Sequence, residues 1–316
     1  MTCETNMGIQ ILEVTKEDLL SMKWRCMTHA DADGIVSAWI CKSIDILSRL
    51  KFPKEFGDYK EEPCDLMLDM RPIDNKFNGI VIDHHLDHPK ERQYRLVWGY
   101  VPTSLLCYEL FKDKIPEDEL WKVAIGIAGD GQPEHIPLEI INKFPELFYS
   151  DIYFGWKDEY SILLCFRASS LINACCRLNN PTQAFTRLDK AKTLMDLLDD
   201  QVLKNSIEEL RRLRSQVEKK MKVIRGARAI YIEIETPAKL EGVIAQSIMD
   251  KKDMTVICLN KETGNFSIRG YLALWYCKEV ISQVEGVTCG GHAKFVGGKI
   301  MPSKYFNFRK QIMKFL

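Results

Sequence analysis

Residues 79–85 read GIVIDHH, a short apolar run that ends in an acid and two histidines. Two earlier segments share that pattern. Residues 24–33, WRCMTHADAD, are apolar-biased up to a polar cluster, and residues 64–69, CDLMLD, run apolar into Asp69. Each segment is as long as a buried strand, and turn chemistry or a helical pattern follows it. The pattern after the first runs from Ile35 through Trp39, Ile40, Ile44 and Leu47. Short buried strands alternating with helices predict a parallel α/β sheet. In such a sheet, ligands bind outside the carboxyl ends of the strands, so three strand ends carrying Asp or His converge on one place.

Working outward, helical spacing predicts helices over 103–112, 117–128 and 137–148. From about Leu188 to Arg225, apolar residues recur at helical spacing without Gly or Pro, which predicts one long helix or two nearly continuous ones. Strand-like runs at 227–234, 254–259 and 265–269 then alternate with helices at about 240–250 and 272–284. A Gly-rich segment at 290–298 precedes a basic, aromatic tail. The domain expectation is 1–185 for an N-terminal parallel-sheet domain, 186–226 for a helical linker and 227–316 for a smaller C-terminal α/β domain.

The 316 residues carry 44 basic and 44 acidic side chains, a balance that conceals an asymmetry. Residues 1–150 hold 17 basic and 26 acidic groups, whereas 151–316 hold 27 and 18. One half is suited to cations and the other to an anion. The 46% apolar fraction excludes a disordered or low-complexity chain. No apolar run approaches the ~18 residues of a membrane span. Eleven cysteines without a Cys-x-x-Cys pair argue against a disulfide framework, so reduced thiols and a cytoplasmic location are expected. Cys41, Cys107 and Cys165, in apolar surroundings, read as buried hydrophobes.

The acidic half concentrates metal-ligand types in four segments: His29, Asp31 and Asp33 in THADADG, Asp69 in LMLDMRP, Asp83, His84 and His85 in VIDHH, and Asp130 in IAGDGQ. Imidazole with carboxylate and no thiolate favours manganese or magnesium over structural zinc. In the basic half, Arg211, Arg212, Arg214, Lys219, Lys220, Lys222, Arg225 and Arg228 fit either a solvated helix face or a track for a nucleic-acid backbone. His88 and His135 match no motif and read as loop histidines.

These four motifs, in this order and with these strand contexts, resemble the DHH/DHHA1 phosphoesterase superfamily, in the first-motif form of its RecJ-like and archaeal branches. The resemblance covers residues 24–131 and continues at 227–300, where FSIRG and CGGHAKFVGG are similar to the Arg strand and Gly-rich His loop of the DHHA1 domain. It implies two Mn2+ ions, with Mg2+ as the alternative. His29, Asp31 and Asp69 would hold one, and Asp33, Asp69, His84 and Asp130 the other. It also implies Asp83 and His85 as the catalytic pair beside the ions, Asp83 orienting a ligand histidine and His85 stabilising phosphate charge. Arg269, Gly290, Gly291 and His292 would bind substrate. Two positions depart from the family pattern: Cys289 stands for the first glycine of the usual triplet, and Phe295 for a small residue.

The function implied is hydrolysis of short single-stranded oligonucleotides to nucleoside 5′-monophosphates by two-metal water activation. Alternatives are a phosphodiesterase for cyclic dinucleotides or another small phosphoester, a RecJ-like exonuclease on long single strands, and a non-enzymatic replication scaffold. The expected partner is an oligonucleotide or small nucleotide. No membrane is expected, protein partners are unknown, and a homodimer is compatible with the sequence.

Overall fold

The computed structural model describes residues 9–53, 63–72, 76–86, 88–149, 163–291 and 293–316. The chain divides into two compact units, Met1–Ile207 and Glu208–Leu316. Among the described residues, no helix is long and apolar enough to cross a membrane.

The first unit is built on a six-stranded sheet of β1 (Ile11–Leu12), β2 (Trp24–Thr28), β3 (Leu47–Lys51), β4 (Leu66–Leu68), β5 (Ile80–Asp83) and β6 (Arg95–Trp98), in the order β1-β6-β5-β4-β2-β3. Every pairing from β6 to β3 is parallel, and β1 alone is antiparallel. β4 and β5 are buried along their whole length, which explains their unbroken apolar sequences. The helices of this unit are α1 (Lys16–Leu20), α2 (Ala32–Ser43), α3 (Thr103–Phe111), α4 (Trp121–Gly129), α5 (Leu138–Lys143), α6 (Leu164–Arg177), α7 (Pro181–Lys190) and α8 (Leu194–Leu198).

The first helix after a motif strand ends sooner than its apolar spacing suggests. Ile44 caps α2, Asp45 takes a left-handed backbone (φ 61°), and Leu47 begins β3. The stretch 188–225, expected as one long helix or two nearly continuous ones, is broken after Lys190 and again after Leu198. Thr193 starts α8 with a capping box to Asp196, and Asp200 accepts from the amides of Val202 and Leu203 at the start of α9 (Gln201–Lys220). Lys222–Arg225 then leaves the helix to form strand β7. Side-chain oxygens at 193 and 200 thus restart the helix where apolar spacing alone reads as continuous. The boundary between the units falls inside α9.

The second unit carries its own six-stranded sheet, in the order β11-β12-β10-β9-β8-β7. Its further strands are β8 (Ala229–Ile234), β9 (Thr255–Asn260), β10 (Asn265–Arg269), β11 (Val287–Gly291) and β12 (Phe295–Ile300). Only β8–β9 is parallel. Helix α10 (Glu241–Lys252) makes the β8–β9 crossover, and α11 (Ala273–Trp275), a π-turn at Tyr276–Val280 and α12 (Tyr305–Met313) complete the unit. The Gly-rich segment is therefore sheet, with β11 and β12 paired antiparallel. Phe266, Ile268, Tyr276, Val296 and Phe308 form its core.

One expectation about the cysteines is corrected here. Cys277, in the π-turn, and Cys289, on β11, are joined in a disulfide with their Cα atoms 6.3 Å apart, inside the usual span. Both sit against one apolar core, a proximity that a separation of 12 residues does not announce. The other described cysteines are free, and Cys41, Cys107 and Cys165 are buried as expected.

Lys122, near the start of α4, is fully buried. Its ammonium lies 4.7 Å from the Trp39 ring centroid and 5.4 Å from that of Trp121, and it pairs with Glu119. Burial lowers its pKa and the Glu119 carboxylate opposes that shift. Removing one partner of a buried pair is costlier than replacing the cation with an apolar group of similar volume. Glu119→Ala should therefore lower unfolding free energy by about 3 kcal/mol, whereas Lys122→Met should change it little. Urea denaturation of both variants checks the asymmetry, and equal losses would refute it.

Candidate metal centre

The strand order decides which side chains meet. β4 lies between β2 and β5, so Asp69, just after β4, is flanked by the residues that follow its two neighbours. Asp69 Oδ2 lies 3.5 Å from His29 Nδ1, and Asp69 Oδ1 lies 3.3 Å from His84 Nε2. The Thr103 hydroxyl, at the start of α3, donates to Asp69 Oδ1 at 3.3 Å. Asp69 is buried and holds a left-handed backbone (φ 54°), a conformation that Asp and Asn tolerate better than most residues.

The first motif turns sharply. Asp31 is the N-cap of α2, its carboxylate accepting from the Gly34 amide at 3.0 Å, while its other oxygen meets His29 Nδ1 at 2.7 Å. A Cβ at Gly34 would stand 2.3 Å from the His29 carbonyl oxygen, so only glycine lets the chain fold back this closely. Asp33, in the first turn of α2, is buried and accepts from the amides of Thr103 (2.8 Å) and Ser104 (2.9 Å). It anchors the N-terminus of α3 as well as facing the site.

Two sets of ligand-type atoms come within 4.8 Å of one another among the described residues: His29, Asp31 and Asp69, and Asp69, His84 and His85. Asp69 is common to both. Asp130, the C-cap of α4, lies 3.7 Å from His84 Nδ1 and accepts from the Gln132 side-chain Nε2 at 2.8 Å. The six expected ligands thus cluster, although Asp33 and Asp130 stand outside the two tight groups.

Asp83 differs in detail from its expected role. Its Oδ1 accepts from the His84 backbone amide at 2.9 Å and meets the His85 ring at 2.7 Å, and its Oδ2 meets His88 Nε2 at 3.1 Å. It orients His85 and His88, and touches His84 through the main chain. His88, expected in a loop without a role, has a side chain only 6% exposed and a second contact to the Tyr94 hydroxyl at 2.8 Å. Its partners are near in sequence, Asp83 five residues before it and Tyr94 six after, but those separations match no helical contact spacing.

The electrostatics fit a cation. Burial raises the Asp33 carboxyl well above its ordinary range, and the charges of Asp69 and Asp130 raise it further. Burial likewise pushes Asp130 up to about 6, with Asp69 adding to the shift. At Asp69 burial acts upward too, but hydrogen bonds from His29 and His84 override it and hold the carboxyl below the usual range. Burial works to lower His84, yet Asp69 and Asp130 raise it to about 10. Buried carboxyls that repel one another, with imidazoles drawn in between, form the donor set that a divalent ion satisfies.

In the second unit, Arg269 ends β10 and donates from Nη1 to the carbonyls of Ile268 (3.1 Å) and Val296 (3.2 Å). Gly290 and Gly291 end β11, opposite Gly297 and Val296 of β12. His292, expected to bind substrate, lies outside the described residues. Of the basic run, Arg212 is bidentate to Glu209 and Arg214 pairs with Glu218, so these two arginines belong to a solvated, ion-paired helix face.

No family model matches the sequence, and no curated protein matches it. Solved structures do. RecJ from Thermus thermophilus, in complex with Mn2+, is 18% identical with a TM-score of 0.65, over 95% of this chain and 53% of that one. The chain thus spans about half the length of that relative. An exonuclease RecJ bound to manganese is 17% identical with a TM-score of 0.58, over 95% of this chain and 92% of that one. The pGpG-specific phosphodiesterase PggH from Vibrio cholerae is 14% identical with a TM-score of 0.51, over 92% and 98%. The chain has the α/β fold of the RecJ and DHH-domain structures, with a parallel-rich sheet followed by a second sheet.

The Asp83–His85 contact makes a direct prediction. Burial lowers the His85 pKa and His84 adds to that, but the Asp83 and Asp69 charges raise it above its ordinary value overall. In metal-free protein, His85 should titrate above about 6.5, and Asp83→Asn should bring it to that value or below. Histidine titration by NMR decides this, and an unchanged midpoint in the variant would remove Asp83 as the controlling charge.

Proposed function

We propose that the chain is a metal-dependent phosphoesterase of the DHH/DHHA1 type that hydrolyses short single-stranded oligonucleotides to nucleoside 5′-monophosphates. The observation that carries the reading is the shared position of Asp69 between the His29–Asp31 and His84–His85 groups. A carboxylate common to two donor sets is what a pair of divalent ions needs at its centre. The neighbours named as an exonuclease and as a pGpG-specific phosphodiesterase support a phosphodiester substrate.

His29, Asp31 and Asp69 would hold one Mn2+ or Mg2+, and Asp33, Asp69, His84 and Asp130 the other. Bound there, the two ions supply water of lowered pKa and an electrophilic clamp on the phosphoryl group. The chain's own groups do the rest. His85, its ring oriented by Asp83, would donate to a non-bridging phosphate oxygen as charge develops there. His88 and Tyr94 fix the second oxygen of Asp83, so that its first stays directed at His85. Arg269 and the main-chain amides of Gly290 and Gly291 supply phosphate contacts in the basic unit.

Asp69→Asn preserves shape and tolerates the left-handed backbone, so it tests the carboxylate without disturbing the turn. Manganese-dependent turnover should fall by about two orders of magnitude or more, with the thermal transition of metal-free protein retained. Turnover near the wild-type rate would refute the shared-carboxylate assignment.

Substrate length is tested by a panel from dinucleotides to long single strands, with a cyclic dinucleotide included and products mapped. Arg212 and Arg214 are already ion-paired, and other exposed cations are screened at physiological salt. A long strand should therefore gain little in kcat/KM over a pentamer, and 5′-monophosphates should accumulate. A steep rise with length that persists at high salt would replace this reading with a processive exonuclease. Turnover confined to the cyclic substrate would replace it with a cyclic-dinucleotide phosphodiesterase.

A further inference from the structure

The β10–β12 end of the second sheet carries two exposed aromatic rings, each next to a cation. Phe295 opens β12 directly opposite Arg269, and the guanidinium carbon lies 5.4 Å from its ring centroid. Two residues beyond Arg269, Tyr271 has the Lys294 ammonium 4.4 Å from its ring centroid. The rings are not core: Phe295 is 44% exposed and Tyr271 73%. Val296, the neighbour of Phe295, faces the opposite way and is fully buried.

The surface beside Phe295 is bare. Gly297 is two residues along β12 and so shares the outward face of Phe295, with Gly290 across from it on β11. A Cβ at Gly297 would meet nothing within 4 Å, so its glycine answers no crowding in the fold. By contrast, a Cβ at Gly298, which faces inward, would stand 2.3 Å from the Phe266 ring. Arg269 lies against the first turn of α10, where a Cβ at Gly242 would come 2.9 Å from its Nη2. A ring, a guanidinium and a side-chain-free strip of backbone thus share one face.

We propose that Phe295 and Tyr271 form a nucleobase-stacking platform beside the Arg269 phosphate contact, the base lying on the Phe295 ring and over Gly297. The proposal rests on the phosphoesterase reading for the phosphate, and adds that the base itself is gripped. Aromatic faces and guanidinium planes are the surfaces on which unstacked bases lie, and every base offers a π-face. A cation beside the ring keeps phosphate and base within reach of one short hairpin end. Self-contained cation–π pairs would satisfy the cations alone, but would leave the bare strip at Gly297 without a purpose.

The test compares two probes that share a sugar phosphate and differ by a base, AMP and ribose 5-phosphate, titrated calorimetrically into the full chain. AMP should bind roughly 5- to 150-fold more tightly, the span that one stacked base provides. Phe295→Ala with Tyr271→Ala should erase that gap and leave ribose 5-phosphate binding unchanged. Phe295→Trp should preserve it. Equal binding of the two probes by the wild type, failure of both to bind, or a gap that survives the double variant would each overturn the platform. Manganese-dependent hydrolysis of a dinucleotide is scored separately. A chain that cleaves it without preferring AMP refutes only the platform, and one that prefers AMP without cleaving refutes only the phosphoesterase reading.

Discussion

The carboxylate of Asp69 is the constraint around which the first unit is organised. It is buried, its backbone is left-handed, and it has an imidazole on each side and the Thr103 hydroxyl against it. A buried carboxylate is costly unless charge or hydrogen bonds compensate it, and here the compensation comes from three separate segments of chain. That requires β4 to lie between β2 and β5, with all three parallel, so that their carboxyl ends open on the same edge. The topology and the ligand cluster are one requirement seen at two scales.

Much of this was legible in the sequence because buried parallel strands are continuous apolar runs and the chemistry sits immediately after them. The runs before His29, Asp69 and Asp83 became β2, β4 and β5. Legibility failed where a polar or backbone device interrupts an apolar rhythm. Leu47 continues the spacing of α2, but the left-handed residue Asp45 has already turned the chain into β3. The apolar spacing of 188–225 hides the caps at Thr193 and Asp200. β6 went unread as a strand, its four residues being too few to establish a period. The Cys277–Cys289 pair depends on a contact between segments, which no local spacing encodes, and the His88 contacts to Asp83 and Tyr94 fall at separations of five and six residues, which match no helical contact spacing.

Asp33 shows why a residue type cannot be assigned a single role. Both of its oxygens accept main-chain amides at the start of α3, which is where a carboxylate is stabilised by the unsatisfied N–H groups and the helix dipole. Burial nonetheless raises its pKa well above the ordinary range, and the charges of Asp69 and Asp130 raise it further. The same group thus docks a helix and is tied electrostatically to Asp69 and Asp130, and replacing it would disturb both. Asp130 is different: it caps α4 at the site's partly open side, and its described side-chain contacts are to His84 and Gln132 rather than to the start of a second helix. Its substitution would therefore test the proposed ligand role without undocking a second helix.

The two departures from the family pattern in the second unit lie on opposite faces of the same hairpin. Cys289 pairs with Gly298, and its sulfur turns inward to Cys277 at the edge of the apolar core. A side chain on that face adds to packing and does not project over the outward face of the hairpin. Phe295 pairs with Arg269 on the outer face, where a small residue would leave only the guanidinium and bare backbone. Strand alternation thus sorts the substitutions by consequence: the inward one braces the hairpin, and the outward one sets a ring beside the Arg269 guanidinium. A phosphate site flanked by a ring discriminates nucleotides from other phosphoesters by the base, whereas one without the ring reads charge alone.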